Sequence, residues 1–178
     1  MAETTASAVL NLGFLTVLHE ASGYLGGYLV TNVWGRPLEF RLSTAVQPNR
    51  VQQILYGDTL QPYICADLIG KTLVDKTATA VELLLTDREP VLELRPRLQV
   101  PIAWLAPAAD TVTPSRCLVR AADEDTGPVF CHAAHAADSA AIREMLERLD
   151  ATLDLEEPFA RIRDAIGEAR KVGIASRN

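Results

Sequence analysis

Apolar and charged residues alternate in the segment from Pro37 to Ser43. Its large apolar residues occupy every second position, with a charged residue between each pair (Leu38, Phe40 and Leu42; Glu39 and Arg41). A period of two is typical of a strand with one buried and one solvated face. We therefore expect the apolar side of this strand to be buried, so that Phe40→Ala lowers the free energy of unfolding by about 3–5 kcal/mol.

Two further strand-like runs precede this segment. Residues 10–20 have the length and apolar density of a first strand, and residues 26–32 form a second, after the small turn residues 21–23. The Asn-Val-Trp-Gly-Arg-Pro sequence at 32–37 is turn-like and leads into the third strand, so the pattern predicts an antiparallel meander. Gly26 and Gly27 weaken the second strand unless a bulge or a closely packed neighbour uses the space of the missing side chains.

The period changes after Gln47. It predicts a short helix that Gly57 ends and a second helix over 59–70. Residues 81–86 and 91–95 then read as a hairpin, and residues 98–105 as an edge strand that contains Trp104.

The chain after Pro107 has a different character. Residues 107–128 are rich in small residues, prolines and acids, and we interpret them as a linker or irregular edge segment between a sheet with helical cover at 9–106 and a C-terminal strand plus two helices at 129–173. The helices carry one apolar stripe each (Ile142, Met145, Leu146 and Leu149; Phe159, Ile162 and Ile166). The expected fold is α+β: an antiparallel sheet of about five or six strands with helices on one face and a C-terminal helical hairpin.

Composition excludes several classes of protein. With 178 residues, 48% of them hydrophobic and 22% charged, the chain can bury about 70% of its unfolded surface and is globular. No apolar run approaches the roughly 18 residues of a membrane span, and the N-terminus lacks the basic and apolar regions of a leader. Three cysteines do not suggest a disulfide framework. We expect a cytoplasmic protein with no membrane partner and no cofactor.

Net charge bears on nucleic-acid partners. A formal charge of −6 and a pI near 5.1 disfavour general binding to a polyanion. Aromatic side chains nevertheless alternate with arginines around the predicted hairpin turn, and such a mixture suits base stacking or a protein contact. The candidate binding residues are Tyr24, Tyr28, Trp34, Arg36, Arg41 and Arg50.

The metal-like grouping in the sequence is Cys117, Cys131, His132 and His135. These are ligand types that zinc favours, but the grouping lacks a tight Cys-x-x-Cys knuckle, and neighbouring residues on a strand point to opposite faces. We therefore predict that the protein holds no stoichiometric zinc.

Other candidate chemistry has less support. His19, Glu20 and Ser22 supply a base, an acid and a hydroxyl, but adjacent strand residues do not converge. The glycines at 23–27 lack the lysine and the helix context of a phosphate loop. The acidic run at 123–125 lacks the spacing of a calcium loop.

Three functional hypotheses follow. Without a recognisable catalytic constellation, the leading one is a non-catalytic accessory or adaptor subunit that docks on a protein partner or forms a homodimer through the Trp34 hairpin or the C-terminal helices. Deletion of 138–178 is then expected to leave a soluble sheet domain. The second is an enzyme or small-molecule-binding domain with a site near His19, Tyr24 and Tyr56. The third is a nucleic-acid accessory protein that uses the arginine and aromatic residues.

Overall fold

The computed structural model describes residues 9–108, 115–149 and 153–175. In these ranges seven strands form one sheet. Along the chain they are β1 (Asn11–Glu20), β2 (Gly23–Asn32), β3 (Pro37–Leu42), β4 (Leu83–Thr86), β5 (Ile102–Leu105), β6 (Arg116–Arg120) and β7 (Val129–His132). Across the sheet the order is β3-β2-β1-β4-β5-β7-β6.

The sheet is mixed rather than antiparallel. β1 to β3 form the predicted meander, but β4 pairs parallel with β1, and β5 pairs parallel with β4. β7 returns antiparallel to β5 and carries β6 at the edge. The expected antiparallel sheet of five or six strands is therefore wrong. Because β6 lies inside the predicted linker 107–128, that segment is in part a strand of the sheet, and its residues 109–114 lie outside the described part of the chain.

Helices cover both faces of the sheet, not one. A continuous helical run covers the first face and comprises α1 (Arg50–Tyr56), a 3-10 turn (Gly57–Thr59), α2 (Leu60–Pro62), a π-helix (Tyr63–Gly70) and α3 (Lys71–Lys76). A 3-10 segment (Glu89–Arg97) lies beside it where the sequence predicted the second arm of a hairpin. We call this side the π-helix face. The helical run continues through Gly70, where the sequence predicted its end. Gly70 packs between Leu15 and Leu94.

The C-terminal helices cover the other side. A 3-10 turn (Ala133–His135) leads into α4 (Asp138–Leu149), and α5 (Glu157–Ala175) follows. Both helices pack their predicted apolar stripes against the sheet. The side chains in this contact are almost fully buried (Ile142, Leu146, Leu149, Phe159, Ile162 and Ile166). We call this side the α4–α5 face. None of the described helices has the length and apolarity to cross a membrane.

The edge strand β3 does not bury its apolar side. Leu38, Phe40 and Leu42 are 45%, 38% and 39% exposed, since α5 packs mainly over β1 and β2 and covers β3 only in part. Glu39, on the other side of the strand, is more buried than any of them. The strand itself is confirmed, but the expected burial of Phe40 is wrong.

Glu39 connects β3 to the segment that follows α3. Its carboxylate accepts hydrogen bonds from the backbone N–H groups of Thr79 (2.9 Å) and Ala78 (3.1 Å), and the Arg41 guanidinium donates to it as well. These bonds, that from Thr79 foremost, lower the pKa of Glu39 from 4.5 to about 2.

The lowered pKa of Glu39 predicts a pH dependence of stability. Its contribution is fully present above about pH 4.5 and is lost as the pH falls towards 2, because the charged carboxylate accepts these bonds more strongly than the neutral carboxyl group does. Glu39→Gln should therefore reduce the loss of stability between pH 5 and pH 2.5, as measured by urea unfolding. Glu168→Gln, at a solvent-exposed position of α5, is the control, and an equal change in both variants would contradict the assignment.

Candidate functional site

A groove lies at the carboxyl end of β5, next to the end of the parallel strand β4. It has a volume of about 680 Å³ and runs between the β6–β7 loop and the segment before α5. In sheets with parallel strands, ligands bind outside the carboxyl ends of those strands, where the strand order reverses. The groove is lined by the end of β5, by the loop and by the chain that enters α5 (Leu105, Ala106, Arg120, Asp123 to Gly127 and Leu153 to Glu156).

A second cavity of about 340 Å³ adjoins the groove and shares Leu105, Ala106 and Glu156 with it. Asp87, the residue that follows β4, lines this cavity, and its Oδ2 atom accepts a hydrogen bond of 2.7 Å from Arg163 of α5. The other carboxylate oxygen of Asp87 is shielded from solvent and has no hydrogen-bond partner. Arg163 therefore neutralises the carboxylate at the end of β4.

The groove is strongly acidic, but two of its carboxylates accept hydrogen bonds from the backbone of the loops that line it. The carboxylate of Asp123 accepts hydrogen bonds from the backbone N–H groups of Thr126 (2.7 Å) and Asp125 (3.0 Å), which lower the pKa of Asp123. Asp154 accepts a bond from the N–H of Glu156 in the same way. Within the described ranges, no three His, Cys, Asp or Glu side chains lie close enough to hold a metal ion.

The β2–β3 turn presents an exposed tryptophan next to this region. The Asn32 side chain accepts hydrogen bonds from the N–H groups of Trp34 and Arg36, both 3.0 Å, and Gly35 takes a φ of +77° that other residues rarely adopt. Trp34 is 75% exposed. The turn is held in place by Arg161, whose Nη1 atom donates to the Gly35 carbonyl at 2.9 Å.

Leu153 joins the turn to the groove. Its side chain lies against the position that a Cβ atom of Gly35 would occupy, and the same residue lines the groove. The Trp34 turn and the groove are therefore parts of one surface. Arg36 is exposed on this surface next to the tryptophan.

The other predicted binding residues do not join Trp34 and Arg36. Tyr28 is buried in the core, where desolvation raises its pKa, and Tyr24 stacks on His19 at 4.0 Å at the far end of β2, about 30 Å away along the strand. Arg41 is paired with Glu39 on the edge strand. Arg50 begins α1 and is exposed on the π-helix side of the molecule. The expected single patch is thus divided.

The residues of the enzyme hypothesis are also divided. His19 and Tyr24 line a shallow cavity of about 310 Å³. Tyr56 lines a different one of about 460 Å³, where its ring stacks on Tyr63 at 4.6 Å. His19 and Tyr56 thus do not share one site.

The four metal-like residues lie on both faces of the sheet. Cys117 and Cys131 are on the α4–α5 face, whereas His132 is on the other, with its Nε2 atom 3.5 Å from Glu93. His135 contacts His132 ring to ring, with a centroid distance of 5.6 Å. These positions do not place the four side chains around one point, and the absence of stoichiometric zinc stays a prediction for elemental analysis.

Sequence reasoning missed the groove, although one signal was present. Asp87 directly follows a buried apolar run, as polar groups do at the carboxyl end of a parallel strand. We interpreted that run as the first arm of an antiparallel hairpin, so Asp87 was assigned to a turn. No pattern in the sequence around Arg163 indicated that this residue would pair with Asp87.

Comparison of the chain with known proteins identifies its fold. No protein-family model and no curated protein matches the sequence. The structure is similar to that of endonuclease V from Bacillus subtilis, with a TM-score of 0.57 and 13% identity over 92% of this chain and 83% of that chain. It is also similar to endonuclease V from Ciona intestinalis in complex with a 23-mer DNA containing an inosine followed by a ribo-adenosine, with a TM-score of 0.53 and 9% identity over 94% of this chain and 88% of that chain.

This likeness corrects the leading functional hypothesis. Both of these solved proteins share the fold over more than 90% of this chain, both are named endonuclease V, and one of them is bound to DNA. The expectation of a non-catalytic adaptor or accessory subunit that docks on a protein is therefore wrong. Nothing in the comparisons supports a protein partner or a homodimer.

Proposed function

We propose that this protein binds nucleic acid through the Trp34 turn, with the acidic groove beside it left free of phosphates. The observation that carries the proposal is the fold, since 94% of the chain matches a solved structure that contains DNA. The third of the sequence-based hypotheses, a nucleic-acid partner, thus has structural support, although on a smaller surface than the sequence indicated.

Trp34 supplies the base contact in this proposal. An exposed indole ring next to an arginine is a stacking platform for unpaired bases, and such stacking contributes about 1–3 kcal/mol per base. The Asn32 and Arg161 hydrogen bonds fix the turn, so that little conformational freedom is lost when a base stacks on the ring.

Electrostatics make this binding weakly dependent on salt. Most arginines on the described surface already face a carboxylate, including Arg161 with Glu157 and Arg163 with Asp87. Few cations are left to neutralise phosphates, and each phosphate contact to a single strand contributes a slope of only about −0.7 in log K against log salt. We expect a shallow slope of about −0.7 to −1.4, as one or two phosphate contacts to a single strand would give.

The residues at the groove do not fit a metal-dependent hydrolysis. Nucleases that use metal ions hold them with clustered carboxylates. At the end of β4, Asp87 is instead paired with Arg163, and the neighbouring position on β1 is the fully buried Thr16. The proposal is therefore one of binding, and we derive no metal-dependent step.

Fluorescence anisotropy with labelled 23-mer DNA tests the proposal. Single-stranded and duplex forms, each with inosine or adenine at the central position, are titrated with wild-type protein, Trp34→Ala and Leu55→Ala. We expect Trp34→Ala to weaken binding by about 5- to 150-fold, the equivalent of one lost base stack. Leu55 is as exposed as Trp34 but lies on α1, so Leu55→Ala should bind like the wild type.

Two results would overturn the proposal. Wild-type protein that leaves all four DNAs unbound at about 100 μM, the weak limit of non-specific binding, would refute it. Equal affinity of Trp34→Ala and wild type would refute the assigned surface. The same DNAs incubated with Mg²⁺ or Mn²⁺ and run on a denaturing gel should stay intact, and cleavage that a chelator abolishes would contradict the binding-only assignment.

A further inference from the structure

Cys117 and Cys131 face each other across the β6–β7 pair. They are direct partners in the register of the two antiparallel strands, and both side chains lie on the α4–α5 face. Residues directly opposite in such a pair have Cα atoms about 4.5–5.5 Å apart. That separation lies within the 4.4–6.8 Å range of disulfide-bonded cysteines. The register of the two strands is therefore compatible with a disulfide between the two cysteines.

The two thiols differ in their accessibility. Cys131 is fully buried, and burial, together with the adjacent Cys117 thiol, raises the pKa of Cys131 to about 12. Cys117 is partly exposed. Cys65 belongs to the core on the π-helix face, on the opposite side of the sheet, and so has neither thiol as a neighbour. One accessible thiol with one buried thiol beside it is the arrangement of an attacking and a resolving cysteine.

We propose that Cys117 and Cys131 form a redox-active dithiol that a small disulfide such as glutathione disulfide oxidises to a cross-strand disulfide. The Cys117 thiol releases its proton to water, and the thiolate attacks one sulfur of glutathione disulfide. The S–S bond breaks, a mixed disulfide forms on Cys117, and the first glutathione leaves and takes up a proton from water. The Cys131 sulfur then attacks Sγ of Cys117 and breaks the mixed disulfide, while the Cys131 proton passes to the departing second glutathione. Two protein thiols are oxidised, and one glutathione disulfide is reduced to two glutathione molecules.

The disulfide would cross-link the β6–β7 hairpin, whose loop forms one wall of the groove. β6 and β7 are joined by the loop that contains Asp123 and Gly127, and this loop lines the groove. A disulfide at the base of the hairpin closes a short loop and restricts the unfolded chain. We expect the oxidised protein to melt roughly 5–10 °C higher than the reduced protein.

The experiment compares wild type with Cys65→Ser, Cys117→Ser and Cys131→Ser. Each protein, reduced and freed of metal with a chelator, is incubated under native conditions in glutathione buffers of increasing oxidised fraction. Free thiols are then counted after rapid alkylation, and intact masses and Tm are measured. Wild type and Cys65→Ser should each lose two thiols and the mass of two hydrogen atoms, with a higher Tm, and dithiothreitol should reverse all three changes.

Cys117→Ser and Cys131→Ser should show no intramolecular bond. Cys131→Ser should instead hold one glutathione on Cys117, because the resolving thiol is missing. If Cys131→Ser does not fold, Cys117→Ser and peptide mapping of the oxidised wild type still decide the matter, since Cys117 is not fully buried. Three free thiols in wild type at full oxidation, or a bond that involves Cys65 or a second chain, would overturn the proposal.

Discussion

Phe159→Ala should lower the free energy of unfolding by about 3–5 kcal/mol. Phe159 is 1% exposed in the first turns of α5, and its ring meets that of Phe14 edge-to-face at a centroid distance of 5.5 Å. Removal of the ring leaves a cavity between α5 and the centre of the sheet, and it also removes a favourable aromatic contact. Urea unfolding followed by circular dichroism measures the change.

Phe40→Ala is the matched control for this substitution. It removes the same side chain from the edge strand, where 38% of the residue is already exposed, and we expect a cost below about 1.5 kcal/mol. Similar losses in the two variants would show that the apolar side of β3 is covered and that the core assignment is wrong.

Deletion of 138–178 should give an insoluble or unfolded protein, in contrast to the expectation from the sequence. The deletion uncovers the buried side chains Leu12, Phe14, Leu83 and Leu85. A soluble, folded sheet domain would contradict this prediction.

Gly26→Ala and Gly27→Ala should each destabilise the protein by about 1–3 kcal/mol. The two glycines lie in the middle of β2 and point to opposite faces. A Cβ atom on Gly26 would collide with Ile69 of the π-helix, and one on Gly27 with Ile162 of α5. Neither glycine has a positive φ, so the cost comes from packing and not from backbone strain.

Gly167→Ala is the control for the glycine pair. Gly167 lies inside α5, and a Cβ atom there would have no neighbour within 4 Å. Because alanine favours the helix over glycine, this variant should be more stable by about 0.8–1.0 kcal/mol. Thermal and urea unfolding of the three variants should therefore give changes of opposite sign. Stabilisation by Gly26→Ala or Gly27→Ala would show that the helices pack less closely on β2 than the structure indicates.

Part of the candidate site could be predicted from the sequence. Trp34 and Arg36 stand between Asn32 and Pro37 in a turn that contains Gly35, and connecting segments of this kind run over the surface of a protein. The groove could not be predicted, because its walls come from β5, from the β6–β7 loop and from the chain before α5, which are far apart in sequence. The pairing of Asp87 with Arg163 joins residues separated by 76 positions, and no local pattern carries such information.

The sequence by itself determined the local elements: the meander β1 to β3, the helical run after Asn49 and the stripes of α4 and α5. Hydrophobic periodicity and turn residues act over a few positions, and they specify an element without its neighbours. Only the tertiary structure decided that β4 and β5 run parallel to β1, that helices cover both faces, and that the apolar side of β3 stays exposed. Each of these depends on which distant element packs where, and the alternation of Leu38, Phe40 and Leu42 is the same whether or not a helix reaches far enough to cover it.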